Sequence, residues 1–275
     1  MTFEDAARQL QQIEAASRRA ETPCGPGRMV WHLWGDGPPL VLLHGGAGSW
    51  RHWARNVVPL SRHRLVLAAD LPGLGESELP PDARDFDTVA GIVTDGIDRL
   101  IGATSAYELA GFSYGSLVSG QVALRHRHRI SRMILTGAGS LGTGRNPTPL
   151  EKVRSRTGAD RLEAHRTNLL RLMIADPAKI DPFALTIQAW NSDHARLSER
   201  PPADSAPLRD ALAQLSIPLR MIWGEQDATC VGEVLQQRRE SVRRVRPDAT
   251  IDIIPAAGHW AAFEAAEQWN DIFLG

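Results

Sequence analysis

Apolar residues recur along this chain in short runs, each closed by a loop and followed by residues at helical spacing. Runs that read as strands occupy 28–34, 40–43, 64–69, 107–112, 133–136, 218–223 and 250–254. Strands that alternate with helices pair in parallel across helical crossovers. The fold class expected is therefore α/β, a mostly parallel, doubly wound sheet of about eight strands. Between Thr136 and Ile217 the rhythm changes, with helical spacing at 150–157, 161–174 and 182–197 and no convincing strand. Prolines at 147, 149, 177, 182, 201, 202 and 207 punctuate this stretch. It predicts a helical cap over 144–212, inserted into a core made of 22–143 and 213–275. At the N-terminus Phe3, Ala6, Leu10, Ile13 and Ala20 recur at helical spacing, interrupted by Ser17. They predict a helical extension over 1–21. Such a helix packs on its own domain or crosses to a second copy, so a homodimer stays open.

Composition narrows the class. With 275 residues, 43% of them hydrophobic and 23% charged, the chain can bury one large core. A net charge of −1 offers no electrostatic attraction for nucleic acid or an anionic membrane. No apolar run approaches the length of a membrane span, and the acidic start lacks the layout of a secretion signal. The two cysteines, Cys24 and Cys230, lie far apart and suit a reduced cytoplasm better than a disulfide framework. The basic run Arg125-His126-Arg127-His128-Arg129 reads as a solvated helix end, since histidines two apart share no helix face.

The chemistry concentrates at Gly111-Phe112-Ser113-Tyr114-Gly115. A G-x-S-x-G between a buried strand and a packed helix is a nucleophile elbow, a turn sharp enough to lift the serine Oγ above the sheet. Ser113 then needs a base for its proton and a carboxylate to orient that base. In an elbow of this kind the acid and then the histidine follow the serine. Beyond the elbow helix stand His165, His194 and His259. The first two sit in a polar helical stretch and read as solvated. His259 follows the run 250–254 and the loop Pro255-Ala256-Ala257-Gly258, at a strand's C-terminal end, where open parallel sheets gather their chemistry. One strand earlier, Trp223-Gly224-Glu225-Gln226-Asp227 offers Asp227 as the acid, with Glu225 behind it. The loop after 133–136 carries no carboxylate, which favours Asp227, and Asp248 and Asp252 read as exposed loop residues.

Acyl transfer also needs fixed N–H donors for a developing oxyanion. The amide of Tyr114 is one candidate. The loop His44-Gly45-Gly46-Ala47-Gly48-Ser49 supplies Gly46 as the other, with Ala47 beside it. This loop lacks the Gly-Lys-Ser/Thr ending of a phosphate loop, and His44 reads as a brace for it.

These motifs, with Asp70-Leu71-Pro72-Gly73-Leu74-Gly75-Glu76-Ser77 as a bracing loop beside the site, stand in family order. From about residue 29 to 274 the chain resembles the α/β-hydrolase fold family, in its capped serine hydrolases. A closer resemblance is to the carbon–carbon bond hydrolases that act on meta-cleavage products. Gly258-His259-Trp260-Ala261-Ala262-Phe263-Glu264 is similar to their histidine segment, and His44 to Trp50 with Asn56 is similar to their oxyanion loop. The chain departs from them at Phe112, where they carry asparagine, and at Ala228-Thr229-Cys230-Val231, where they carry Arg and then Pro. Their cap arginine would correspond to Arg196. Phe112 beside the nucleophile points to a less polar substrate than a dienoate.

The expected function is a serine hydrolase cleaving a small-molecule carboxylic ester or related carbonyl compound through an acyl-enzyme. Ser113, Asp227 and His259 would be catalytic, with Gly46 and Tyr114 as the oxyanion hole. Phe112, Trp260, Trp190 and Arg196 would meet an apolar or aromatic substrate. No metal or other cofactor is implied. The alternatives are a C–C bond hydrolase, another unusual chemistry on the same fold, or a hydrolase-like ligand receptor, because fold does not fix reaction.

Overall fold

Eight strands form one sheet among the residues that the computed structural model describes, 1–81, 85–197 and 204–275. They are β1 (Arg18–Cys24), β2 (Gly27–Trp34), β3 (Pro39–Leu43), β4 (Leu65–Ala69), β5 (Tyr107–Phe112), β6 (Ile130–Thr136), β7 (Leu219–Gly224) and β8 (Thr250–Ile254). Their order across the sheet is β1-β2-β4-β3-β5-β6-β7-β8. β1 pairs antiparallel with β2, and β2 with β4, while every pairing from β4 to β8 is parallel.

The helices are α1 (Phe3–Ala15), α2 (Val57–Leu60), α3 (Phe86–Ile101), α4 (Tyr114–His126), α5 (Gly158–Asn168), α6 (Pro182–Asp193), α7 (Pro207–Leu212), α8 (Glu233–Val245), α9 (Ala261–Glu264) and α10 (Ala266–Leu274). Side chains alternate across each strand. Val41, Leu43, Leu109 and Leu135 therefore pack with α3, α4 and α8 on one face. Leu40, Leu42, Ala110 and Ile134 pack with α1, α6 and α10 on the other. Strands buried on both faces explain the unbroken apolar runs. No helix among the described residues is long and apolar enough to cross a membrane.

Three sequence expectations need correction. The extension over 1–21 is not helical throughout: α1 ends at Ala15, and Ala20 belongs to β1. This edge strand exposes most of its residues, including Arg18 and Arg19, and buries Thr22 and Cys24. An edge needs little apolar alternation and tolerates Pro23, which hid it from a hydrophobic pattern. The α1 helix opens with a Thr2–Asp5 capping box and packs Ala6 and Leu10 into the core beside α6.

The second correction lies in 144–212. The expected helix at 150–157 does not form. Glu151 N donates to Asn168 Oδ1 at 2.7 Å and Asn168 Nδ2 to Glu151 O at 3.0 Å, which ties this stretch to α5 in an irregular path. The helix expected at 161–174 gives way after Asn168 to one wide turn, Leu169–Met173. The helix expected at 182–197 stops at Asp193. Pro201 and Pro202 lie outside the described residues. Third, His165 is buried rather than solvated, and His194 stacks on Trp190 with ring centroids 3.8 Å apart.

Candidate active site

The elbow begins with backbone geometry. Ser113 stands at φ 51°, ψ −110°, between β5 and α4, a conformation that a non-glycine residue holds only when its surroundings impose it. The flanking glycines make the turn sterically feasible. A Cβ on Gly111 would lie 2.5 Å from Ser119 Oγ, and one on Gly115 only 2.1 Å from Leu43 O.

From this turn a chain of hydrogen bonds runs inward. Ser113 Oγ lies 2.9 Å from His259 Nε2, and His259 Nδ1 lies 2.8 Å from Asp227 Oδ2. Asp227 and His259 are both buried, whereas Ser113 is partly open. Burial by itself would raise the Asp227 carboxyl. The facing His259, the Thr229 hydroxyl and the Arg238 charge outweigh it and hold the group below its ordinary range. An ionised Asp227 can only accept, so Nδ1 carries the ring hydrogen and Nε2 is left to accept from Ser113. Glu225 instead receives the Ala256 amide at 3.2 Å, while Asp252 pairs with Arg220 and Asp248 with Arg246.

Gly46 and Tyr114 both line a cavity of about 520 Å³ that also holds Ser113, His259 and Phe112. Ala47 lines it too, at φ 49°. His44 donates from Nδ1 to Gly45 O at 2.7 Å and accepts the Leu71 amide on Nε2 at 2.9 Å. Burial holds its ring below the ordinary histidine range, consistent with this neutral bracing form. Asp70 accepts the amides of Trp50 (2.7 Å) and Glu76 (2.9 Å), which fixes the loop beside the site.

Of the four expected substrate contacts, the cavity wall holds Phe112 alone. Trp260 is fully buried and donates from Nε1 to His52 O at 2.8 Å, so it supports the loop instead. Trp190 is taken up between His194 and the Arg51 guanidinium, 3.6 Å from its ring. Arg196 spends its Nη2 on the carbonyls of Gly75 and Ser77. Asn56 bonds Ala262 O and Asn270 Oδ1, away from the cavity.

Four supporting residues escaped the sequence reading. His52 Nδ1 accepts the Gly45 amide at 3.2 Å, and burial holds its ring well below the ordinary range. Asn191 Oδ1 takes the Ser49 hydroxyl at 2.6 Å. Glu264 accepts three amides around the His259 loop. Thr229 gives both its amide and its hydroxyl to Asp227 Oδ1, at 2.8 and 2.7 Å. Only Thr229 had a local signal, a hydroxyl residue two positions after an aspartate, where an Asx turn forms.

Among the described residues one His-carboxylate group comes within metal-ligating reach, Glu14, His32 and Glu76. It lies beside α1 and off the cavity wall. Its carboxylates already face guanidinium groups, Arg51 at 2.9 Å from Glu14 and Arg19 at 3.6 Å from Glu76, so the cluster reads as an ion network.

The profile of the Alpha/beta hydrolase family matches residues 40–272. The chain belongs to this family and is a hydrolase. It is 28% identical over 261 residues to a 2-hydroxy-6-oxo-6-phenylhexa-2,4-dienoate hydrolase from Burkholderia cepacia, with 87% of each chain covered. It is 30% identical over 258 residues to the dihydrolipoyllysine-residue acetyltransferase component of the acetoin cleaving system of Pseudomonas putida. That match covers 90% of this chain and 66% of the relative's length. In three dimensions it is similar to an esterase from a Rhodococcus species, with TM-score 0.77, 21% identity and coverage of 94% of this chain and 97% of the other.

Proposed function

We propose that this hydrolase cleaves a small-molecule carboxylic ester or related carbonyl compound through a Ser113-His259-Asp227 triad and an acyl-enzyme. The carrying observation is the unbroken chain Ser113 Oγ–His259–Asp227 at 2.9 and 2.8 Å, opening into a cavity large enough for a small ligand. His259 takes the Ser113 proton as Oγ attacks the carbonyl carbon. The amides of Tyr114 and Gly46 stabilise the oxyanion. The proton then passes to the leaving group, and His259 next activates the water that releases the acid, with Asp227 holding the ring throughout. The segment 144–212 serves as the cap, and among the described residues Val153, Leu172, Met173, Ala195 and Leu197 are its apolar contributions to the cavity wall.

The test is turnover of short and aromatic p-nitrophenyl esters by the wild type beside Ser113→Ala. Serine-dependent multiple turnover, lowered about 10⁴-fold or more in the variant, supports the reading. A folded Ser113→Ala protein with wild-type turnover overturns it, and one slow turnover with trapped product favours a receptor.

A second reading, C–C bond cleavage of an anionic carbonyl compound, has a specific observation in its favour. Among the described residues Arg145, Arg154 and Arg238 line the cavity and no Asp or Glu does. The Burkholderia cepacia relative, named for a dienoate substrate, points the same way. Under this reading Arg154→Met raises KM for a dienoate and leaves a neutral ester untouched; equal effects on both exclude a role for Arg154 in reading charge.

A further inference from the structure

A buried cation behind Asp227 has no place in the steps above. Arg238, on α8, is 2% exposed. Its Nη1 donates to Ala138 O and to Thr229 Oγ1, both at 3.1 Å, and its Nη2 to Thr229 O at 3.3 Å. Ala138 lies just beyond β6 and Thr229 just beyond β7, so one guanidinium joins two loops of the site. Among the described residues no carboxylate lies within ion-pair distance of it.

The hydroxyl of Thr229 gives this arrangement a direction. Its single hydrogen goes to Asp227 Oδ1 at 2.7 Å, so it meets Arg238 only as an acceptor. The order is Arg238 N–H to Thr229 Oγ, Thr229 O–H to Asp227 Oδ1, and Asp227 Oδ2 to His259. A fully buried carboxylate otherwise tends to take up a proton. Once neutral, it no longer fixes which nitrogen of His259 carries hydrogen.

We propose that Arg238 is a positioning residue, which through Thr229 keeps Asp227 ionised and fixed in place so that His259 can take the Ser113 proton. The inference rests on the triad reading. Other titratable groups facing the pair supply no fixed charge. The Cys230 thiol, on the same loop as Asp227, is pushed up to about 12 by burial. His52, facing His259 from the loop after β3, is held neutral by burial. A guanidinium suits the position because two of its nitrogens reach separate acceptors while its charge persists at every working pH.

The test is the rate at which a fluorophosphonate labels Ser113 in the full-length protein, followed against pH. This readout needs no knowledge of the natural substrate. Arg238→Met is expected to slow labelling about 10- to 100-fold at neutral pH and to move the acid limb to higher pH. Arg238→Lys returns the limb towards the wild-type position, because the charge is kept, while the rate stays lower. Thr229→Val breaks the relay with the guanidinium in place and moves the limb in the same direction as Arg238→Met. Wild-type rate and limb in a folded Arg238→Met protein, or in Thr229→Val where the first does not fold, overturn the proposal. A purely structural role would change stability without moving the limb. If the wild type is not labelled, or Ser113→Ala is labelled equally, the nucleophile reading falls and this inference falls with it.

Discussion

The Glu264 carboxylate accepts the amide of Gly258, the residue before His259, at 2.7 Å. The same carboxylate takes the amides of Ala175 at 3.1 Å and Asp176 at 2.8 Å. Trp260 N adds a bond to Met173 O at 2.7 Å. One buried side chain thus ties the histidine loop to the helical segment before α6. Hydrogen bonds to a charged group are worth about 1.5–3 kcal/mol each. Glu264→Gln puts an amide NH₂ among these donors and should cost at least one such bond. Urea unfolding checks this; a variant as stable as the wild type would refute the coupling. A lower kcat with little change in KM is expected beside it.

The elbow makes a steric prediction. Gly115→Ala would place a methyl carbon 2.1 Å from Leu43 O and 2.6 Å from His44 O. Both obstacles are backbone, so β3 must shift and carry the loop from His44 to Ser49 with it. Overpacking of this kind costs about 1–3 kcal/mol or more. The expected outcome is a lowered Tm together with loss of Ser113 labelling. Retention of both would mean that the close approach of α4 to β3 is dispensable.

What could be read in the sequence follows from how local each signal is. Ser113, His259 and Asp227 each sit at a strand end followed by a helix or turn, so neighbouring residues announced them. The buried strands β3 to β7 declared themselves through stretches of consecutive apolar residues, such as Leu40 to Leu43 in β3 and Met133 to Leu135 in β6. β1 did not, because an edge strand with two outward arginines carries no such pattern. Arg238 was invisible for a different reason. In Gln236-Gln237-Arg238-Arg239 it looks like any solvated helix residue, and only tertiary packing buries it against Ala138 and Thr229. Trp260 and Trp190 misled in the opposite sense. Aromatic residues next to a reactive histidine or in a cap suggest a pocket, yet their partners are His52 O and Arg51.

Both cysteines are buried and free. Burial pushes the Cys24 thiol up to about 11 and the Cys230 thiol up to about 12. The thiolate is the reactive form, so the native protein should give almost no reaction with a thiol-directed disulfide reagent at about pH 8. In denaturant both thiols return to an ordinary pKa of about 8.5, and two equivalents should react. Rapid modification of one thiol in the native state would show that its surroundings open in solution.

Glu76, in the loop after β4, predicts a pH dependence of stability. His32 Nε2 stands 3.5 Å from its carboxylate and Arg19 Nε 3.6 Å. His32 is the largest influence lowering the Glu76 carboxyl; burial opposes it, Arg19 and Arg51 add to it, and the group is held at about 2. A carboxyl lowered on folding stabilises the folded state above its unfolded value, and this contribution fades as pH falls through the folded one. The wild type should therefore exceed Glu76→Gln in Tm above about pH 4.5, and the two should converge towards about pH 2. Side-chain exposure near one third and surface screening keep the difference modest. Thermal melts of both proteins across this range decide the matter. Parallel curves would mean that Glu76 does not feel His32 in solution, and that the ion network beside α1 does not couple the N-terminal helix to the Asp70–Ser77 loop.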